Sequence, residues 1–146
     1  MNAVEILLVE DNPNDLELAL HAFARHNFAN QIEVARDGQE ALDYLFGSGG
    51  HAAAALPKLV LLDLKLPKVD GLEVLRRVRE DADIGHLPVV ILTSSREERD
   101  IVDSYDLGVN SYIVKPVDFD KFIDTVKTLG LYWLLLNEPP LPSRRP

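Results

Sequence analysis

Short, wholly apolar runs that each stop at a polar residue constrain this chain more than any other feature. Ile6-Leu7-Leu8-Val9 stops at Glu10-Asp11, Leu59-Val60-Leu61-Leu62 at Asp63, and Val89-Val90-Ile91-Leu92 at Thr93. A run that is apolar at every position cannot turn one face to water. It reads as a strand covered on both sides, the pattern of a parallel sheet flanked by helices. Ser111-Tyr112-Ile113-Val114 is a further strand, broken by Lys115-Pro116. Residues 31–35 alternate polar and apolar side chains, which suits a more exposed edge strand.

Amphipathic segments fill the intervals. Asn12 as N-cap, Pro13 at the first position and Asp15 in the first turn open a helix with Leu16, Leu18, Ala19, Ala22 and Phe23 at helical spacing. Asp37-Gly38-Gln39-Glu40 has the form of a capping box, with Ala41, Leu42, Leu45 and Phe46 on the inner face. Asp70 and Glu73 start a helix that turns Leu72, Val74, Leu75 and Val78 inward. A fourth helix is expected over residues 96–107, closed by Gly108, and Asp118 opens a fifth that carries Phe119, Phe122, Ile123 and Val126. Five strands alternating with five helices predict an α/β fold: a flavodoxin-like, doubly wound five-stranded parallel sheet of order 2-1-3-4-5, (βα)5. In that order the first and third strands are neighbours at the topological switch point, where ligands collect beyond the carboxyl ends of strands.

Composition narrows the function. A chain of 146 residues is one domain, and its size implies that about two-thirds of the unfolded surface is buried. The absence of cysteine excludes disulfides, zinc ribbons and thiol catalysis. Of the four histidines only His21 and His26 are close, and five residues apart is wrong for one helical face. The net charge of −9 disfavours nucleic acid and anionic membranes. No targeting segment is visible, and the apolar run 129–136 is too short for a bilayer, which needs about 20 residues; the expected location is cytoplasmic. Residues 1–136 are read as one domain. Residues 137–146, of which four are proline, are read as a tail with no room for an output module.

The fold delivers Glu10, Asp11, Asp63, Thr93 and Lys115 to one rim, although they span more than a hundred residues of sequence. Three carboxylates that close repel one another unless their pKa values rise or a cation sits among them. An all-oxygen donor set favours a hard ion, Mg²⁺ where phosphate is also bound. Lys115 offers a point charge to a phosphoryl oxygen and Thr93 a hydroxyl donor. Asp63 stands out, because the next helix starts seven residues later and leaves it nothing to cap.

These stretches carry a resemblance. Ile6-Leu7-Leu8-Val9-Glu10-Asp11-Asn12, Leu61-Leu62-Asp63-Leu64-Lys65-Leu66-Pro67 with Asp70-Gly71, Val90-Ile91-Leu92-Thr93-Ser94 and Tyr112-Ile113-Val114-Lys115-Pro116 match, in order and spacing, the motifs of the receiver domain of bacterial two-component response regulators. The resemblance covers residues 4–136. It implies that Asp63 takes a phosphoryl group from a histidine kinase. It further implies that Asp11, Asp63 and the Lys65 backbone carbonyl bind Mg²⁺, with Glu10 acting through water, and that Thr93 and Lys115 hold phosphoryl oxygens. Thr93 and Tyr112 become the switch, Lys65 and Ser95 influence phosphoryl lifetime, and the Lys115–Pro116 bond is expected to be cis. The long loop after the second helix and the aromatic end with Tyr132 and Trp133 look similar to the small regulators paired with bacterial phytochromes. That likeness implies a phytochrome-type sensor kinase as partner and a homodimer through Tyr132 and Trp133.

Two rival readings exist. A haloacid-dehalogenase-like phosphatase shares the aspartyl nucleophile but needs a second acid two residues on, where this chain has Lys65. A degenerate receiver, acting as a binding module without phosphorylation, usually lacks the acceptor, an acid or the lysine, and all are present here.

Overall fold

Five strands, β1 (Ile6–Val9), β2 (Ile32–Ala35), β3 (Leu59–Asp63), β4 (Val89–Thr93) and β5 (Ser111–Val114), form one parallel sheet of order β2-β1-β3-β4-β5. This computed structural model describes residues 6–26, 32–47, 56–93, 100, 103, 106–109, 111–115 and 117–125. The described helices are α1 (Pro13–Arg25), α2 (Gly38–Phe46), α3 (Gly71–Glu80) and α4 (Phe119–Thr125). Most of the helix expected over 96–107 lies outside the described residues. So do Ser95, the peptide to Pro116, Tyr132, Trp133 and the tail. Among the described residues no helix is long and apolar enough to cross a membrane.

The apolar runs behave as their composition requires: every residue of β1, β3 and β4 is buried. Alternation along each strand splits them between two cores. Leu7, Val9, Val60, Leu62, Val89 and Ile91 pack with α2 and α3 on one face. Ile6, Leu8, Leu59, Leu61, Val90 and Leu92 pack with α1 and α4 on the other, where Phe23 and Phe119 stand 6.0 Å apart, centroid to centroid. Each such side chain contributes about 1.5–3 kcal/mol of burial. Followed to the end of β3 and one step past the ends of β1 and β5, the same alternation assigns Asp63, Glu10 and Lys115 to the α1/α4 face. Thr93 falls with Val89 and Ile91 on the opposite face, where Tyr112 packs against the core.

The predicted caps form. Asn12 Oδ1 accepts the Asp15 N–H at 2.9 Å, Asp37 Oδ1 that of Glu40 at 2.7 Å, and Asp70 Oδ1 that of Glu73 at 3.0 Å. The capping box differs in one detail, because the Glu40 carboxylate takes the N–H of Arg36, at 2.6 Å, one residue before the cap. Two apolar assignments are corrected. Leu18 is 62% exposed; two residues after Leu16, it sits about 200° around the helix, off the stripe of Leu16, Ala19, Ala22 and Phe23. Phe46, in the last turn of α2, is 36% exposed.

One half-buried cation holds loops together. The Arg79 guanidinium donates to the carbonyls of Leu107 (2.7 Å), Gly85 (3.2 Å), Leu87 (2.6 Å) and Gly108 (2.8 Å). It ties the entry to β4 to the turn before β5, and burial lowers its pKa.

Candidate functional site

β1, β3 and β5 end on one rim, with β4 between β3 and β5, and the α1-facing residues at or just past their ends meet. The Lys115 ammonium lies 2.7 Å from Asp63 Oδ2, 3.2 Å from Glu10 Oε2 and 3.2 Å from Asp15 Oδ2. Glu10 Oε2 also accepts the Asn12 N–H at 3.1 Å, and Asp63 Oδ1 accepts the Lys65 N–H at 3.1 Å. Glu10 and Asp63 are buried, while Asp11 is exposed. The β4–β5 ladder runs on to the rim, since the Lys115 N–H donates to Thr93 O at 2.8 Å. Thr93 is fully buried, one position beyond Leu92, the register partner of Asp63.

One carboxylate oxygen of each of Glu10, Asp11 and Asp63 lies within 4.8 Å of the others. Glu10 Oε1 is buried and accepts no hydrogen bond, although Lys115 Nζ stands 3.0 Å away at an unsuitable angle. An orphaned buried oxygen beside two further carboxylates suits a hard divalent cation, or a water bound to one.

Electrostatics follow from this crowding. Burial, and then the Asp63 charge, raise the Glu10 pKa to about 7 against hydrogen bonds from Lys115 and Asn12. For Lys115 burial pulls downward, but hydrogen bonds to Asp63 and Glu10, and their charges, outweigh it and hold the ammonium above its ordinary pKa. The raised Glu10 fixes a pH dependence. Between the ordinary value of 4.5 and about 7 the folded chain binds more protons than the unfolded one. Glu10 therefore stabilises the fold fully below about pH 4.5, and the contribution is lost as pH rises through 7. Urea titrations in EDTA at pH 5.5 and 8 are expected to show a loss of about 2 kcal/mol in wild type relative to Glu10→Gln. Parallel profiles for the two proteins would contradict the assignment.

The loop after Asp63 is pinned from two sides. The Gly71 N–H donates to Leu64 O at 2.8 Å, and a Cβ on Gly71 would lie 2.3 Å from Asp63 O. Gly38 donates to Pro67 O at 3.3 Å, and Val69 N–H to the same oxygen at 2.8 Å, closing a γ-turn with Lys68 at φ 70°. That turn is a strained form; the Lys68 ammonium stands 3.5 Å from Asp37 Oδ2. The backbone of Lys65 is thus fixed by Asp63, while its side chain is exposed. Tyr112, half-buried, donates its hydroxyl to Asp103 Oδ1.

The structure thus brings Glu10, Asp11, Asp63 and Lys115 together, with Thr93 at the end of the neighbouring strand β4. Asp15 was missed: in the sequence it is only a first-turn acid, yet it is a third carboxylate on Lys115. The available signal was its place on the helix whose N-terminus faces the rim.

Fold and rim together define a class: a doubly wound α/β protein whose switch point gathers carboxylates around a lysine. The chain matches the response regulator receiver domain family over residues 6–127 and belongs to it. It is 45% identical over 139 residues to the probable methanogenesis regulatory protein FilR2 of Methanothrix harundinacea, covering 94% of this chain and 88% of that protein. It is 36% identical to response regulator Rcp1 of Synechocystis, covering 88% of each; a structure of the Mn²⁺-bound form of Rcp1 superposes with a TM-score of 0.72 over 95% of this chain and 99% of that one, at 34% identity. The structure of the bacteriophytochrome response regulator AtBRR is 56% identical, with a TM-score of 0.77 over 94% of this chain and all of that one. The protein is thus a two-component receiver domain, and its relatives include phytochrome response regulators.

Proposed function

We propose that Asp63 accepts a phosphoryl group from the phosphohistidine of a sensor histidine kinase, a phytochrome by analogy with the phytochrome response regulators among its relatives, and that the resulting charge reshapes the surface around Tyr112. The observation that carries this reading is the Lys115 ammonium 2.7 Å from Asp63 Oδ2 in a rim of further carboxylates. An Asp63 oxygen attacks phosphorus, an O–P bond forms, the N–P bond breaks, and the histidine leaves with its electron pair. Such transfer needs in-line positioning and charge neutralisation more than covalent help from the protein. Lys115 neutralises the transferring oxygens from one side, and the Thr93 hydroxyl donates to another. Asp11, Asp63 and the Lys65 carbonyl would hold Mg²⁺, with Glu10 acting through water. When bound, the ion supplies positive charge to the phosphoryl oxygens.

The acyl phosphate adds roughly one negative charge and new acceptor oxygens. Thr93 turns toward them, and Tyr112 exchanges its hydrogen bond to Asp103 for the space behind Thr93. Hydrolysis by water returns Asp63 to its carboxylate. The receiver is assigned residues 1–136 and the tail residues 137–146, with a second copy of the chain docking through Tyr132 and Trp133. Lys65 and Ser95 remain assigned to phosphoryl lifetime.

The test is chemical trapping. After incubation with acetyl phosphate and Mg²⁺, borohydride reduction should convert the labelled residue to homoserine, and peptide mapping should place that change at Asp63, with none in EDTA. Label elsewhere, or none with either acetyl phosphate or a phosphorylated histidine kinase as donor, would refute the reading and favour a phosphorylation-independent binding module.

A further inference from the structure

An ammonium has three N–H donors, and Lys115 meets three carboxylates: Asp63, Glu10 and Asp15. The three are unequal. The Asp63 and Glu10 side chains are 9% and 2% exposed, and Asp15 is 38% exposed. Asp15 is nevertheless held in place. It sits in the first turn of α1, its N–H is bonded to the Asn12 cap at 2.9 Å, and its Oδ2 reaches Nζ at 3.2 Å. A phosphoryl group on Asp63 brings new anionic oxygens, and Lys115 can serve them only by redirecting a donor. Asp63 cannot be abandoned, because the phosphoryl group is attached to it. Glu10 is buried and would be left uncompensated. Asp15 faces solvent, which takes over its hydration when the contact breaks.

We infer that Asp15 is a positioning residue that competes with the phosphoryl group for the third donor of Lys115 and so weakens the phosphorylated state relative to the resting one. This rests on the phosphoacceptor reading of Asp63 and adds a regulator of its occupancy. The carboxylate acts in two ways in the same direction. It holds the ammonium in the resting arrangement, and its charge repels the incoming anion across the rim. Its partial exposure sets a modest scale for both.

Beryllofluoride with saturating Mg²⁺ is the probe, since it mimics a phosphoryl group on a carboxylate without turning over, and ¹⁹F NMR reads its binding directly. Asp15→Ala is expected to bind it about three- to tenfold more tightly than wild type. Asp15→Glu, which restores charge and acceptor, is expected to return toward wild type. Thermal midpoints measured in parallel separate this from a structural effect, which would shift stability and leave affinity in place. Unchanged or weaker binding by Asp15→Ala would overturn the inference, as would equal tightening in Asp15→Glu. A wild type that takes up no beryllofluoride would instead overturn the phosphoacceptor reading of Asp63.

Discussion

Asp63→Asn is expected to lose the Mg²⁺-dependent phosphoryl label entirely, with intact mass unchanged after acetyl phosphate treatment that adds one phosphate to wild type. The amide oxygen is not a competent nucleophile, and the substitution preserves shape, so the loss should come without unfolding. Two further effects separate this result from simple damage. The Asp63 charge is the second cause of the raised Glu10 pKa, after burial, so Glu10 should titrate lower in the variant and the fall in stability between pH 5.5 and 8 should flatten. Lys115 loses its shortest ion pair, 2.7 Å, and keeps Glu10 and Asp15. Residual label would mean that another rim carboxylate, Asp11 or Asp15, can take the phosphoryl group.

Gly38→Ala is expected to be the most destabilising of the small substitutions. Gly38 starts α2, where alanine is ordinarily preferred by about 1 kcal/mol. Here a Cβ would stand 1.7 Å from Val69 O and 2.5 Å from Val69 C, both backbone atoms of the γ-turn loop. Neither can swing aside as a side chain would, so α2 or the loop must move. The net cost should be about 3 kcal/mol or more, with the thermal midpoint down by roughly 10 °C. Because that loop carries Lys65 and returns to Gly71 against Asp63, phosphoryl uptake should fall as well. A variant with an unchanged urea midpoint would show that the loop yields freely and is not braced by α2.

Much of this was legible before the structure because it depends on local chemistry. The buried runs, the caps at Asn12, Asp37 and Asp70, and the strand order follow from hydrophobic pattern and capping chemistry. The convergence of Glu10, Asp63 and Lys115 follows from strand ends in that order. What was not legible depends on close three-dimensional approach. Nothing in Asp37-Gly38 announces that a carbonyl from the loop after β3 presses on the glycine. Arg79 reads as an exposed helix cation, and only the fold reveals four carbonyls around it. Leu18 was misassigned because apolar character outweighed helical angle.

The alternation that divides the two cores also makes the rim a checkpoint on pairing. If β1 or β3 were paired one residue out of step, Glu10 or Asp63 would turn toward α2 and α3 and leave the lysine. A ligand that needs all of them at once would then bind only chains whose strands are correctly in step. Divalent cation and phosphoryl group would thus select for correct assembly as well as for signal, and molecules caught with a slipped strand would be silent rather than falsely active.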